Sequence, residues 1–396
     1  MSFRRADAAE RSALGALFAE LCAIESPYGH ERACADRVTA ELRALGLHVE
    51  EDDAGHVAGS DAGNLLARIP AAPDALAPAD PPAPLDPAAA AGPAGVLLCA
   101  HLDTVPLTGP IEPVCEEDVW RNRHDAILGA DNKAAVAVML QAARRWVSEP
   151  PPVPVELLFT VCEEHALAGA KAFDVTRLRS RFGYVFDHAS PIGEIVLASP
   201  HYHRIVAELQ GVAAHAGIRP EAGRSAIVAA ARAIAAMPLG RLDEETTANV
   251  GTIAGGSGVN VVPERCRIEA EVRSIDEAKL EALVGELVDH LTDGANAAEC
   301  DLDVNVARLF DGFRIRPSAP EVQVAEAALR ACGHAPRHIV TGGGSDANAL
   351  IPAGFPCVNL ANGTERNHQP DEAVSGAALE GMLDVTFALL DHAPDR

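Results

Sequence analysis

Seven residues able to bind a metal or move a proton stand where apolar segments of this chain run out or in a loop beside one: His101, Asp103, Asp131, Glu163, Glu164, Asp187 and His368. His101 and Asp103 end the run VLLCA at 96–100, Glu163 and Glu164 end the run at 155–162, and Asp187 follows 184–186. In an open α/β sheet, sites are built at the carboxyl ends of the strands. Two imidazoles and several carboxylates on one sheet edge repel strongly unless positive charge lies among them. Oxygen and imidazole ligands suit zinc, manganese or cobalt better than calcium or magnesium. Five ligands with one shared carboxylate suffice for two metals about 3.5–4 Å apart. Singly, each residue has a plainer reading: a Glu-Glu pair on a solvated face, an Asp in a turn, a loop histidine. Their joint placement points to a metal centre.

Elements must hold these groups in place. Residues 13–24 and 31–45 read as amphipathic helices split by a turn at 26–29, with Gly46 stopping the second. Strands are expected at 47–50 and 64–69. Residues 70–94 are almost pure Ala, Pro and Asp, which cannot bury a core and read as an exposed, mobile insertion. After 101 comes an irregular stretch to 128, then a helix at 133–146, a strand at 155–162, a short helix at 166–173 and a strand at 184–186. Near Ser199 alternation sets in. Strand 203–210, helix 225–236, strands 249–253 and 265–273, helix 277–291 and strand 302–309 make a βαββαβ unit. Helix 322–331, strands 338–340 and 357–360 and a helix at 374–390 complete the chain.

Composition narrows the function classes. A chain of 396 residues accommodates two or three domains. A formal charge of −25 argues against nucleic acid and anionic membrane as partners. No apolar run approaches the roughly 20 residues that span a bilayer. The N-terminal stretch mixes charge into an amphipathic pattern and lacks the apolar segment of a signal peptide. Nine cysteines without CxxC spacing point to free thiols in a reducing cytoplasm.

HLDTVP, GADNKAAVAVML, FTVCEEHALAGAKAF, FGYVFDHASPIGEIV, VAAHAG, GVNVVPERCRIEAEVRS, GGGSDAN and NHQPDE follow one another along the chain. Together they resemble the co-catalytic di-zinc metallopeptidase family of peptidase T, carboxypeptidase G and aminoacylase. The FDH…GEIV block and the GGGSDAN loop most resemble its peptidase T-like branch. The resemblance runs from about 22 to 390, apart from the Ala/Pro insertion. It implies an α/β fold with a phosphorylase/hydrolase-like catalytic domain, a mixed sheet sandwiched by helices, over 1–198 and 310–396. A smaller α+β domain at 199–309, with a four-stranded antiparallel sheet and two helices, interrupts it.

The implied activity is exopeptidase cleavage of short peptides, tripeptidase-like. N-acyl amino acid or carbamoyl amide hydrolysis on the same site is the alternative, and a non-catalytic metal-binding protein of the same fold is a third reading. The resemblance implies two divalent ions, zinc, or else manganese or cobalt. Asp131 would bridge them, His101 and Asp187 would complete one site, and Glu164 and His368 the other. Asp103 would hydrogen-bond the far nitrogen of His101 and fix its tautomer. Glu163 would take the proton of the attacking water. His215 would stabilise the oxyanion from across a homodimer formed through the inserted domains. Asn260 and Arg273 would grip the substrate, Arg273 by a terminal carboxylate. The family also implies a cis peptide between Asp131 and Asn132. Asp346 is read as a cap for the helix after it. His165-Ala166-Leu167 departs from the family's pattern, which commonly carries an early glycine there, and this leaves the shape of that loop open.

Overall fold

The strand Gly95–His101 is buried at all seven positions. Successive strand side chains point to opposite faces, so complete burial means that both faces are covered. This is why VLLCA is continuously apolar and does not alternate. The computed structural model, which describes residues 3–72 and 95–393, places this strand inside a mixed sheet. Most of the insertion expected at 70–94 lies outside the described residues.

The sheet runs in the order Val49–Glu51, Leu65–Ile69, Val155–Thr160, Gly95–His101, Ser180–His188, Cys357–Ala361, Glu194–Ser199. The four central strands, from Val155–Thr160 to Cys357–Ala361, pair in parallel. Those outside them pair antiparallel. Helix Ala130–Ser148 packs on Gly95–His101 and Ser180–His188, and Pro320–Cys332 packs on Ser180–His188 and Cys357–Ala361. Phe18, Leu98, Phe159, Tyr184 and Phe186 are fully buried in this core, each contributing about 1.5–3 kcal/mol through the area removed from water. The stretch expected to be irregular holds two strands, Pro113–Glu116 and Val119–Asn122. Left-handed Glu117 (φ 49°) and Asp118 (φ 64°) join them. With Ala373–Ser375 and Thr364–Glu365 they form a separate four-stranded antiparallel sheet. All nine cysteines are free, and Cys115 alone among them is exposed.

The chain divides into two compact units. One takes the residues up to Leu197, Ile315–Val340 and those from Ser345 onward, and the other takes Ala198–Arg314 with Thr341–Gly344. In the second unit the antiparallel order is Gly240–Arg241, Thr246–Gly255, Arg265–Ser274, His201–Gln210, Asp301–Phe310. Four are long strands. The two-residue segment Gly240–Arg241 adds a fifth to the four expected. Side chains of His201–Gln210 alternate between buried and more exposed positions, so one face meets a core. Helices Ala226–Ala236 and Glu277–Ala297 cover that face through Ala230, Leu280, Leu283 and Leu287. Each begins on a capping side chain, Ser225 accepting from Val228 N–H and Asp276 from Ala278 and Lys279 N–H.

Candidate metal centre

The parallel strands end in the chemistry. His101 is the last residue of its strand, Glu163 and Glu164 follow Val155–Thr160, Asp187 lies near the end of Ser180–His188, and His368 sits in the loop beyond Cys357–Ala361. Asp131 opens helix Ala130–Ser148 with a non-helical backbone (φ −83°, ψ 103°). Two residues before it stands Gly129 at φ 75°, a left-handed conformation glycine adopts freely. The Asp131–Asn132 peptide is cis.

Asp131 splits its two oxygens between two histidines. Oδ1 lies 3.3 Å from His101 Nε2, and Oδ2 lies 3.1 Å from His368 Nε2. Asp187 Oδ1 stands 3.4 Å from the same His101 nitrogen, and Glu164 Oε1 stands 2.8 Å from His368 Nε2. Two groups result, His101–Asp131–Asp187 and Asp131–Glu164–His368, each with ligand atoms within 4.8 Å of one another. A third grouping joins His101 to Glu163 and Glu164. The side chains of Asp131, Asp187 and Glu164 are 8–9% exposed, whereas His368 is 50% exposed and opens the site to solvent. Glu164 Oε1 is buried, and the His368 ring is the group that approaches it. Buried carboxylate oxygens and imidazole nitrogens at these spacings fit divalent zinc-type cations.

Packing these groups together shifts their proton affinities. Burial opposes the charge on His101, but Asp187, Asp103 and Asp131 outweigh it and hold the ring well above an ordinary histidine. Hydrogen bonds to Asp131 and Glu164 carry His368 up to about 10. Burial pushes Asp187 to about 8. Burial, then the Asp187 charge, pushes Glu163 well above the carboxylate range. Asp131 goes the other way, because the hydrogen bonds of its two histidines overcome its burial.

Supporting contacts fix the loops. The expected bond from the Asp103 carboxylate to His101 is only partly realised. His101 Nδ1 lies 3.0 Å from the Asp103 main-chain carbonyl and 3.5 Å from Oδ1. The carboxylate instead accepts the main-chain N–H groups of Glu163 and Glu164, both at 3.0 Å. Asp103 thus holds the paired glutamates as well as the histidine. Asn359 brackets Asp187, accepting its N–H and donating to its carbonyl. Two acidic residues that no sequence motif marks also hold these loops. Buried Glu372 accepts the N–H groups of Leu128, Gly129 and Asp131. Buried Glu31 accepts those of Gly29 and Cys162. Asp346 precedes Ala347–Leu350 but makes no capping hydrogen bond, and its carboxylate turns to Thr160 and Cys99. In the divergent loop, Ala166 (φ 57°) and Leu167 (φ 61°) occupy left-handed conformations that favour glycine.

His215, Asn260 and Arg273 belong to the second unit. His215 and Asn260 are neighbours, with Ala216 N–H donating to the Asn260 carbonyl at 2.9 Å. The Arg273 guanidinium stacks on Tyr202, 4.1 Å from the ring centre, and donates to the Gly342 carbonyl and to Glu271. It lies at the other end of the sheet. Residues 265 to 273 pair without interruption along His201–Gln210, which separates the two ends by about 26 Å at roughly 3.3 Å per residue.

Two protein-family models match the chain: a peptidase dimerisation domain over 203–299 and peptidase family M28 over 84–213. The second span includes His101, Asp131, Glu163, Glu164 and Asp187. The Bacillus subtilis protein YqjE, described as uncharacterized, is 33% identical over 95% of this chain and 97% of its own. Among solved structures, aminopeptidase PepT from Bacillus cereus is 35% identical over 97% of this chain and 98% of its own, with a TM-score of 0.83. A tripeptidase from Staphylococcus aureus is 29% identical over 100% of both chains, with a TM-score of 0.88. Strand ends, shared aspartate and these full-length likenesses agree, and the chain belongs to the peptidase T-like family of dimetal metallopeptidases.

Proposed function

We propose that the chain is a dimetal-dependent exopeptidase that hydrolyses the amide bond of short peptides, tripeptidase-like, with Glu163 as general base. One observation carries this reading. Buried Glu163 stands outside the two imidazole–carboxylate groups that share Asp131, yet beside them. The likeness to an aminopeptidase and a tripeptidase supports the substrate class.

His101 and Asp187 would hold one ion, Glu164 and His368 the other, and Asp131 both. Zinc is expected, with manganese or cobalt able to replace it, since the donors are three carboxylates and two imidazoles. When bound, such ions acidify water and polarise a substrate carbonyl. Glu163, with its main chain fixed by Asp103, takes the water's proton on its carboxylate and passes it to the leaving amine. His215 donates to the oxyanion, Asn260 orients the substrate, and Arg273 binds its terminal carboxylate, exchanging its bond to Glu271 for the ligand.

A homodimer formed through the second unit accounts for the placement of these groups. Within one copy, His215 and Asn260 sit at one end of the sheet and Arg273 at the other, too far apart to grip one short peptide. Two copies can supply the two ends. The match to a peptidase dimerisation domain supports this. So does the edge of Thr246–Gly255, where 249–255 have no second strand partner among the described residues. Ile253 there and Ile227 and Val228 on helix Ala226–Ala236 expose apolar surface. No described helix is long and apolar enough to cross a membrane. Nine free thiols suit the reducing cytoplasm, where we place the enzyme.

A panel of di- and tripeptides and N-acetyl amino acids, assayed with zinc, manganese and cobalt, tests the reading. Release of N-terminal residues from tripeptides, abolished by chelation, is expected. Turnover of N-acetyl amino acids alone would overturn the peptidase reading in favour of an amide hydrolase.

A further inference from the structure

Asp346 is 1% exposed, and the chemistry described so far does not use it. Its Oδ2 accepts the Thr160 hydroxyl at 2.5 Å and faces Cys99 Sγ at 3.7 Å, while Oδ1 is buried with no hydrogen-bond partner. A buried carboxylate with one oxygen unmatched is costly, and an apolar side chain would fill the space more stably. The partners of Oδ2 suggest why it is there. Thr160 is paired with His101 in the parallel ladder, and its carbonyl accepts the N–H of Leu102 at 2.8 Å. Thr160 also ends the strand from which Glu163 projects three residues on. Cys99 lies two residues before His101 on the same strand, so the two side chains share a face. One carboxylate therefore touches the neighbours of His101 both along its strand and across the ladder.

We propose that Asp346 is a positioning residue of the metal centre, which through Thr160 and Cys99 fixes the two strand ends that deliver His101 and Glu163. The inference rests on the reading of His101 as a ligand and Glu163 as the base. Groups hydrogen-bonded directly to a ligand change metal affinity or activity about 10–100-fold when removed, and Asp346, one residue further back, belongs at the low end of that range.

Visible-absorption titration with cobalt tests this without substrate. Asp346→Ala should weaken cobalt binding about tenfold or more. Asp346→Asn, which keeps an oxygen for the Thr160 hydroxyl, should stay within about threefold of the unaltered chain. Thr160→Val should reproduce the loss, and Thr160→Ser should restore binding. The double variant Asp346→Ala/Thr160→Val should be no worse than either single change. In turnover, kcat should fall while KM stays within about threefold. If Asp346→Ala fails to fold, the Thr160→Val and Thr160→Ser pair makes the same comparison. Cobalt affinity unchanged in folded Asp346→Ala or Thr160→Val overturns the proposal, and so does Asp346→Asn as poor as Asp346→Ala. A chain that binds cobalt but cleaves no peptide overturns the peptidase reading instead. No cobalt binding by the unaltered chain overturns both.

Discussion

At the scale of single residues, the paired glutamates separate two jobs that adjacent positions could otherwise share. Glu164 approaches His368 within one ligand group, whereas Glu163 is buried beside Asp103 and the His101 group. Glu163→Gln should leave two metals bound and lower kcat at least about 10²-fold, the usual scale for losing a proton acceptor. Glu164→Gln should instead release metal, as elemental analysis after dialysis would show. If both variants keep metal and lose activity alike, the division of labour is wrong. Proton traffic gives a second check. Without metal, His368 near 10 and Asp187 near 8 both carry protons at pH 7. Ligand atoms must shed those protons, so metal binding should release them and tighten as pH rises from 6 toward 8. Calorimetric titrations in buffers of different ionisation heat should therefore give different apparent enthalpies. Identical enthalpies in all buffers would contradict this account.

At the scale of elements, the ligand-bearing strands were legible because buried parallel strands read as unbroken apolar runs that stop where the polar chemistry begins. VLLCA before His101 and the run before Glu163 are of this kind. The hairpin of Pro113–Glu116 and Val119–Asn122 was not legible. Its turn uses Glu117 and Asp118 at positive φ where hairpin turns usually signal themselves with glycine. Glu372 and Glu31 were equally hidden. Each is one acidic residue in a loop or at a helix start, and only the fold aims main-chain N–H groups at it. Glu372→Ala would strand three buried donors and should lower stability by about 2–4 kcal/mol, at roughly 1–3 kcal/mol per unsatisfied group with partial relief from water. Denaturant unfolding of the metal-free chain measures this. The loop after Glu164 makes the opposite prediction. A left-handed alanine costs about 1 kcal/mol that glycine avoids, set against glycine's extra freedom in the unfolded chain. Ala166→Gly should thus leave the melting temperature unchanged or raise it by a few degrees, and a clear drop would show that the Ala166 methyl group is needed.

At the scale of the whole molecule, the proposed site needs two copies. His215→Ala and Glu163→Gln chains should each be nearly inactive. Mixed under conditions that exchange subunits, they should regain part of the activity, because one hybrid site then receives both intact groups. No recovery in a preparation shown to exchange would place His215 in its own chain's site or outside the chemistry. The distribution of thiols offers a way to watch such exchange. Eight cysteines are buried, and Cys115, on a strand of the first unit, is exposed. Burial and the charge of Asp118 raise this thiol's pKa, so it holds little thiolate at neutral pH and should react slowly with maleimides, faster as pH rises. Labelling of the folded chain should stop at one dye per copy and reach nine only after denaturation. Donor- and acceptor-labelled batches, once mixed, would then report subunit exchange as energy transfer between two fluorophores at symmetry-related positions, without any engineered attachment point.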